Sequence, residues 1–145
     1  MGTIKAICIS EKKGDRKEPV PSAKLLTDHG IVGDAHAGPW NRQVSMLPAE
    51  SIEKMRQKIL DLADGDFAEN FVVGGLDLSG VAVGDRFRAG SEVLLEVTQI
   101  GKECHDDCPI RQKTGDCIMP REGIFCRVVN GGVLKPGDRI SRDGR

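Results

Sequence analysis

Four of the five cysteines of the chain lie between residues 98 and 126, in the company of basic side chains. They are Cys104, Cys108, Cys117 and Cys126. Nearby cations lower the pKa of a thiol, and the thiolate is the form that attacks electrophiles and binds metals. Cys104 stands between Lys102 and His105 and is therefore the first candidate for chemistry.

The same stretch also permits a structural zinc site, since Cys104, His105, Cys108 and Cys117 are all zinc-ligand types. Their spacing is Cys-x3-Cys followed by Cys-x8-Cys, whereas structural zinc sites usually show tighter pairs. Zinc is thus an alternative that the spacing disfavours. Taken singly, Cys108 and Cys117 are better explained as ordinary loop or core thiols.

A second group of polar residues lies in the glycine-spaced run from residue 30 to residue 47. Asp34, His36, Trp40 and Arg42 fall close together there. Such a turn can direct main-chain N–H groups and side chains onto one ligand. On spacing alone, a tight turn in which Asp34 caps its own backbone is slightly favoured. Trp40 is expected to cover the edge of the core.

The ordered motifs VGDAHAG with RQVSML, FAENFVVGGLDLSGVAVGDRFRAG, VTQIGKEC and TGDCIMPREGIF resemble the MOSC domain family. This family takes its name from the C-terminal domain of molybdenum cofactor sulfurases, and the resemblance covers roughly residues 4–140. It implies a mainly β, compact, β-barrel-like fold with one main α-helix and short helical turns. It also implies a single domain over residues 1–145 that handles molybdenum cofactor or its sulfur.

The resemblance assigns roles to particular residues. Cys104 matches the characteristic cysteine of the family, which would act as a thiolate ligand of molybdenum or as a persulfide carrier. His36, Arg42 and Gln43 match the GDxH and RQV steps, and Glu69 with Asn70 matches a step near the cofactor. The expected phosphate-binding cations are Arg42, Lys102, Arg111 and Arg121. The expected pterin-binding groups are His36, Gln43 and Asn70.

Three functional hypotheses remain open. The first is cofactor binding in sulfur transfer or cofactor delivery, with a sulfur donor or a molybdoenzyme as partner and with Cys108 or Cys117 as a resolving thiol. The second is a molybdenum-dependent reductase component for N-hydroxylated compounds, which would receive electrons from a partner protein. The third is a non-enzymatic domain with the zinc site. The pyridoxal-phosphate domain of full sulfurases has no counterpart in this sequence, so no such cofactor is expected on this chain.

The composition excludes several other classes. A chain of 145 residues and 15.7 kDa suits one domain with a real core. The net charge of -1, 3% aromatic content and absence of Tyr argue against nucleic-acid and membrane-surface binding. No apolar run approaches the ~20 residues of a membrane helix, and no secretory signal opens the chain. We therefore expect reduced thiols and a cytoplasmic location.

Strand and helix patterns predict the scaffold. Strands are predicted over residues 3–9, 22–29, 43–47, 67–73, 92–98 and 124–130, and around the VGDRFRAG run. Cys8 and Cys126 are expected in the core. Residues 48–63 are the one convincing helix, with Pro48 at its first position and an apolar stripe of Ile52, Met55, Ile59 and Leu62.

The remaining segments are predicted as connections. Residues 11–21 read as a surface loop whose cations, Lys17 among them, are solvated. Residues 105–113 are expected to form a helical turn. A hairpin-like turn and a short last strand close the chain, and residues 141–145 are expected to fray.

Overall fold

A computed structural model describes residues 2–12, 17–57, 65, 69–78, 80–101 and 123–143. Several of the predicted features fall outside this part of the chain: Lys102, Cys104, Cys108, Arg111, Cys117, Arg121, the helical turn over 105–113 and the second half of the predicted helix.

The described residues form eleven strands and one helix. In chain order these are β1 (Gly2–Ile9), β2 (Glu18–Pro19), β3 (Ala23–Leu26), β4 (Gly30–Ile31), β5 (Val44–Pro48), α1 (Ala49–Arg56), β6 (Phe71–Gly74), β7 (Arg86–Ala89), β8 (Val93–Ile100), β9 (Ile124–Asn130), β10 (Gly132–Leu134) and β11 (Arg139–Arg142).

Seven of these strands close into a barrel. The strand order is β11-β7-β8-β9-β5-β6-β1, and pairing of β1 with β11 closes the ring. The pairs are antiparallel except for β5 with β6, which run parallel. A parallel pair needs a crossover connection, and α1 lies within it. The predicted β-barrel-like fold with one main helix is confirmed.

The apolar alternation of the strands builds the barrel core. Val93, Leu95 and Val97 of β8 are buried, as their period-two spacing predicts. On β9, Cys126 is fully buried between Ile124 and Val128. Burial raises the pKa of the Cys126 thiol far above its ordinary value, and the nearby Glu96 carboxylate adds to the rise. This cysteine is thus a protonated core residue, as expected.

The helix begins one residue later than predicted. Pro48 has an extended backbone and ends β5, so it is the N-cap and not the first helical residue. Ile52 and Met55 are buried, which confirms this half of the apolar stripe. Glu50 in the first turn accepts a hydrogen bond from the Gly75 N–H at 2.9 Å, and this bond is the main cause that lowers the pKa of its carboxyl group.

The C-terminal prediction needs two corrections. The turn over 135–138 joins strands of two different sheets, because β10 pairs with β3 while β11 pairs with β7 and β1. It is therefore not a hairpin. Ser141 and Arg142 pair with Arg88 and Phe87 of β7, so the expected fraying is wrong for these two residues. Their pairing extends the ladder between β11 and β7.

No helix in the described ranges has the length and apolar character that a membrane crossing requires.

Ile140 tests the closure of the barrel, because it is buried in β11 where that strand pairs with β1. Ile140→Ala is expected to lower the free energy of unfolding by about 2–5 kcal/mol, through lost burial and the cavity left behind. Val133→Ala, at a side chain that is 60% exposed, is the control and should change it by less than about 0.5 kcal/mol. Urea unfolding measures both, and equal effects would contradict the assigned closure.

Candidate functional site

The glycine-spaced segment between β4 and β5 folds into a tight, polar loop. Gly30, Gly33 and Gly38 all have positive φ, which side chains rarely tolerate. A Cβ on Gly30 would also come within 2.8 Å of the Gln43 carbonyl oxygen, so the two ends of the loop approach closely. The Gly38 N–H donates to the His29 carbonyl at 2.7 Å. The loop is thereby held against the start of β5.

A buried ion pair fixes this loop to the preceding part of the chain. Nζ of Lys17 lies 2.7 Å from Oδ1 of Asp34, and both side chains are fully buried. The prediction that Lys17 is a solvated loop cation is therefore wrong. Nothing in the sequence around residue 17 distinguishes it from its exposed neighbours, because its partner lies 17 positions away.

Asp34 combines the capping role with the ion pair. Its Oδ2 accepts the His36 N–H at 3.2 Å, which is the local backbone cap that the turn chemistry predicts. Its Oδ1 accepts the Ser10 N–H at 3.1 Å in addition to the Lys17 bond. One carboxylate therefore joins the end of β1, the start of β2 and the polar loop.

Gly65 makes room for the lysine. The Lys17 N–H donates to the Gly65 carbonyl at 2.9 Å, and a Cβ on Gly65 would stand 1.9 Å from the Lys17 carbonyl oxygen. Glu69 accepts the Gly65 N–H at 3.0 Å and is fully buried. Asn70 is buried as well, so neither side chain lies on the surface of the barrel.

Three partly buried side chains of the loop and one buried ring of β9 form a row, which we term the rim row: His36, Trp40, Arg42 and Phe125. The His36 and Trp40 rings are stacked, with centroids 6.1 Å apart and planes within 4°. The Arg42 guanidinium lies 4.8 Å from the Trp40 ring centre and 5.8 Å from that of Phe125. Cation–π attraction holds the guanidinium between the two rings.

The rim row lies against the ends of β8 and β9. Asn41 Nδ2 donates to Gln99 Oε1 at 2.8 Å, and the Thr98 hydroxyl hydrogen-bonds to the Asn41 carbonyl. The Gly101 N–H donates to the Gly123 carbonyl at 2.7 Å, so these two glycines form a neck. In sequence the neck encloses residues 102–122, which include Cys104. The structure thus brings Arg42, through its contact with Phe125, near the place where that segment begins and ends, and Trp40 connects Arg42 to His36.

Gln43 and Asn70, both predicted as pterin-binding residues, are buried and bonded internally. Gln43 donates to Asp28 Oδ1 at 3.1 Å and accepts the Val128 N–H at 2.9 Å. Asn70 accepts the Ser45 N–H at 2.9 Å and donates to the Cys8 carbonyl at 3.0 Å. This geometry favours a structural role, in which both amides join barrel strands beneath the rim row.

Metal ligation cannot be assigned to the described ranges, which contain no group of three His, Cys, Asp or Glu side chains able to hold an ion. The ligands of the zinc alternative, and the sulfur of Cys104, belong to residues 102–122.

Comparison with known proteins shows which family the chain belongs to. The MOSC domain family model matches residues 33–141. The chain belongs to the MOSC domain family. The matched range includes the polar loop from Gly33 onward, the rim row and the segment that carries Cys104.

This MOSC chain is also similar to a bacterial protein in sequence and to solved bacterial structures in fold. The uncharacterized protein YflK of Bacillus subtilis (strain 168) is 28% identical over 141 residues, covering 88% of this chain and 62% of YflK. The chain therefore spans less than two thirds of YflK. The crystal structure of the YuaD protein from Bacillus subtilis has a TM-score of 0.78 at 19% identity, covering 96% of this chain and 93% of that one.

The fold recurs in YiiM proteins. The YiiM structure from Geobacillus stearothermophilus has a TM-score of 0.72 at 21% identity, covering all of this chain and 76% of that one. That from Escherichia coli has a TM-score of 0.68 at 24% identity, covering all of this chain and 71% of that one. At these identities the likeness shows the fold alone.

Asp34→Asn tests the buried pair, because it leaves the Lys17 ammonium buried without its counter-charge. The free energy of unfolding is expected to fall by about 3–5 kcal/mol. The double variant Lys17→Met/Asp34→Asn removes both charges and should recover a large part of that loss. Chemical denaturation measures all three proteins.

The matched control is Asp143→Asn, which breaks the more exposed pair between Arg88 and Asp143 at 3.0 Å. Its effect should stay below about 1 kcal/mol. A loss for Asp34→Asn as small as this control, or no recovery in the double variant, would show that the pair does not hold the loop.

Proposed function

We propose that this MOSC domain binds molybdenum cofactor and acts in sulfur transfer or cofactor delivery, with Cys104 as the thiolate ligand or persulfide carrier. The proposal rests on one observation: the rim row lies next to the neck that Gly101 and Gly123 form. Cys104 follows Gly101 by three residues in the sequence. Family membership supports the same assignment.

The described part of the site fits such a ligand. Molybdenum cofactor is a phosphate-bearing pterin whose dithiolene sulfurs hold the metal, and when bound it would supply a soft metal centre suited to thiolate. Arg42 offers a planar guanidinium, half-buried and held between two rings, which matches phosphate oxygens in a fork. His36, with a side chain that is 17% exposed, offers a polar group next to the Trp40 ring that Arg42 contacts.

The proposal assigns the remaining contacts to the segment beyond the neck. Lys102, Arg111 and Arg121 would add cations for the phosphate, and Cys104 the sulfur. In the carrier version, a thiolate of the acceptor attacks the outer sulfur of a Cys104 persulfide, the S–S bond breaks, and Cys104 leaves as a thiolate. A sulfur donor or a molybdoenzyme would be the protein partner, and a reducing cytoplasm would keep these thiols available.

Retention of molybdenum cofactor by purified protein tests the proposal. Wild type is expected to retain cofactor after desalting, and Cys104→Ser to lose most of it while staying folded, because only the thiolate is removed. Cys117→Ser is the control and should retain cofactor as wild type does. Molybdenum and zinc are measured together by elemental analysis, and folding by circular dichroism.

The same assay separates the alternatives. About one zinc per chain, with loss of folding for Cys104→Ser and Cys117→Ser alike, would replace the proposal by the structural zinc site, because such zinc contributes folding energy.

In a second arm, Arg42→Gln should weaken retention of the cofactor by about tenfold or more, because it removes the equivalent of one charge-assisted hydrogen bond. Arg88→Gln, at an exposed arginine of β7, is its control.

A further inference from the structure

The Lys17 ammonium has three hydrogen-bond partners. The chemistry of these partners determines which atom donates and which accepts in each bond. Nζ lies 2.7 Å from Asp34 Oδ1, 3.2 Å from Ser10 Oγ and 3.0 Å from His36 Nδ1. The Ser10 hydroxyl donates its own hydrogen to the Lys12 carbonyl at 3.0 Å, so it accepts from the lysine. A carboxylate can only accept. Two of the three N–H groups are therefore committed, and the third faces His36.

The remaining bond specifies the protonation of the imidazole. An ammonium group has three donors and no acceptor, so Nδ1 of His36 must accept. In a neutral imidazole the proton then lies on Nε2. A buried lysine directly before β2 thus selects one of the two histidine tautomers.

The charges around the ring favour the neutral state. Protonation of Nδ1 would place an N–H donor of a positively charged imidazole 3.0 Å from the Lys17 ammonium, so that two donors and two positive charges would face each other. Asp34 Oδ2 lies 4.0 Å from Nδ1, but this carboxylate already neutralises Lys17. The Arg42 guanidinium lies 4.8 Å from the centre of the Trp40 ring, on which the His36 ring stacks, and adds further positive charge.

We propose that Lys17 is a positioning residue of the site: it holds His36 neutral and Nε2-protonated, so that His36 offers a hydrogen-bond donor to an acceptor atom of the bound ligand. Lys17 acts through His36 because its own side chain is fully buried. The acceptor would be a carbonyl oxygen, an unprotonated ring nitrogen or a phosphate oxygen. The inference has two halves. The ligand half, in which His36 donates to a bound ligand, rests on the proposed function, whereas the tautomer half, in which Lys17 sets the tautomer of His36, does not.

Nitrogen NMR of protein labelled with ¹⁵N-histidine tests the tautomer without any ligand. The chain has three histidines, and His36→Gln identifies the signals of His36 by their disappearance. Wild type at neutral pH is expected to show an unprotonated Nδ1 and a protonated Nε2, with this tautomer preferred by about tenfold or more. In Lys17→Met/Asp34→Asn, which avoids a lone buried charge, the preference should fall and the signals should move toward the averaged tautomer positions.

A protonated Nδ1 in wild type would overturn the inference by itself, whatever the variant does. An unchanged tautomer ratio in the folded double variant would overturn it as well.

Cofactor retention tests the ligand half: in His36→Gln and in the double variant, affinity for the cofactor should fall by about tenfold. Unchanged retention in both variants would refute the ligand half. If wild type binds no molybdenum cofactor, it is the proposed function that fails, and the NMR result still decides the tautomer.

Discussion

The site depends on one buried contact, the ion pair between Lys17 and Asp34. Removing an ammonium and a carboxylate from water is costly, and the cost is offset only when both groups are fully bonded. Here all the bonds are made: the ammonium has three acceptors, and the carboxylate accepts from Lys17, from the Ser10 N–H and from the His36 N–H. The pair therefore joins three segments that would otherwise be separate surface connections.

The barrel determines where that loop is presented. The ladder between β8 and β9 shifts register between Val97 and Gln99, so Thr98 is an extra residue in its strand. Bulges of this kind redirect a side chain near the end of a sheet. The single O–H of Thr98 is shared between the carbonyl oxygens of Phe125 and Asn41, and so joins the two strands to the loop. The rim row and the neck at Gly101 and Gly123 are brought together by this irregularity.

The sequence predicts the scaffold well because barrel strands have a local signature. The alternation of β8 and the bounds of β9 follow from apolar spacing, since one face of each strand packs into the core. The loop was predictable in part: its glycines indicate a tight polar turn, and the family motifs single out His36 and Arg42. The rest depends on distant contacts. Lys17 resembles any loop lysine until Asp34 is brought beside it.

The same reason explains the two amides. Gln43 and Asn70 match motif positions, but a motif does not say whether a side chain points to a ligand or inward. Their hydrogen bonds join neighbouring strands, to Val128 and Ser45, that are 85 and 25 residues away in sequence. Pairings of such length leave no local pattern. The pairing of β10 with β3, and of β11 with β1, was hidden from the sequence for the same reason.

The most direct measurement asks whether Cys104 and the rim row belong to one site. Trp40 is the only tryptophan of the chain, so its fluorescence reports on the rim row alone. In Cys108→Ser/Cys117→Ser, a nitroxide attached to the protein is directed to Cys104, because Cys8 and Cys126 are buried. If the site is as proposed, the attached nitroxide should quench Trp40 strongly. Quenching no greater than that by the same concentration of unattached nitroxide would contradict it.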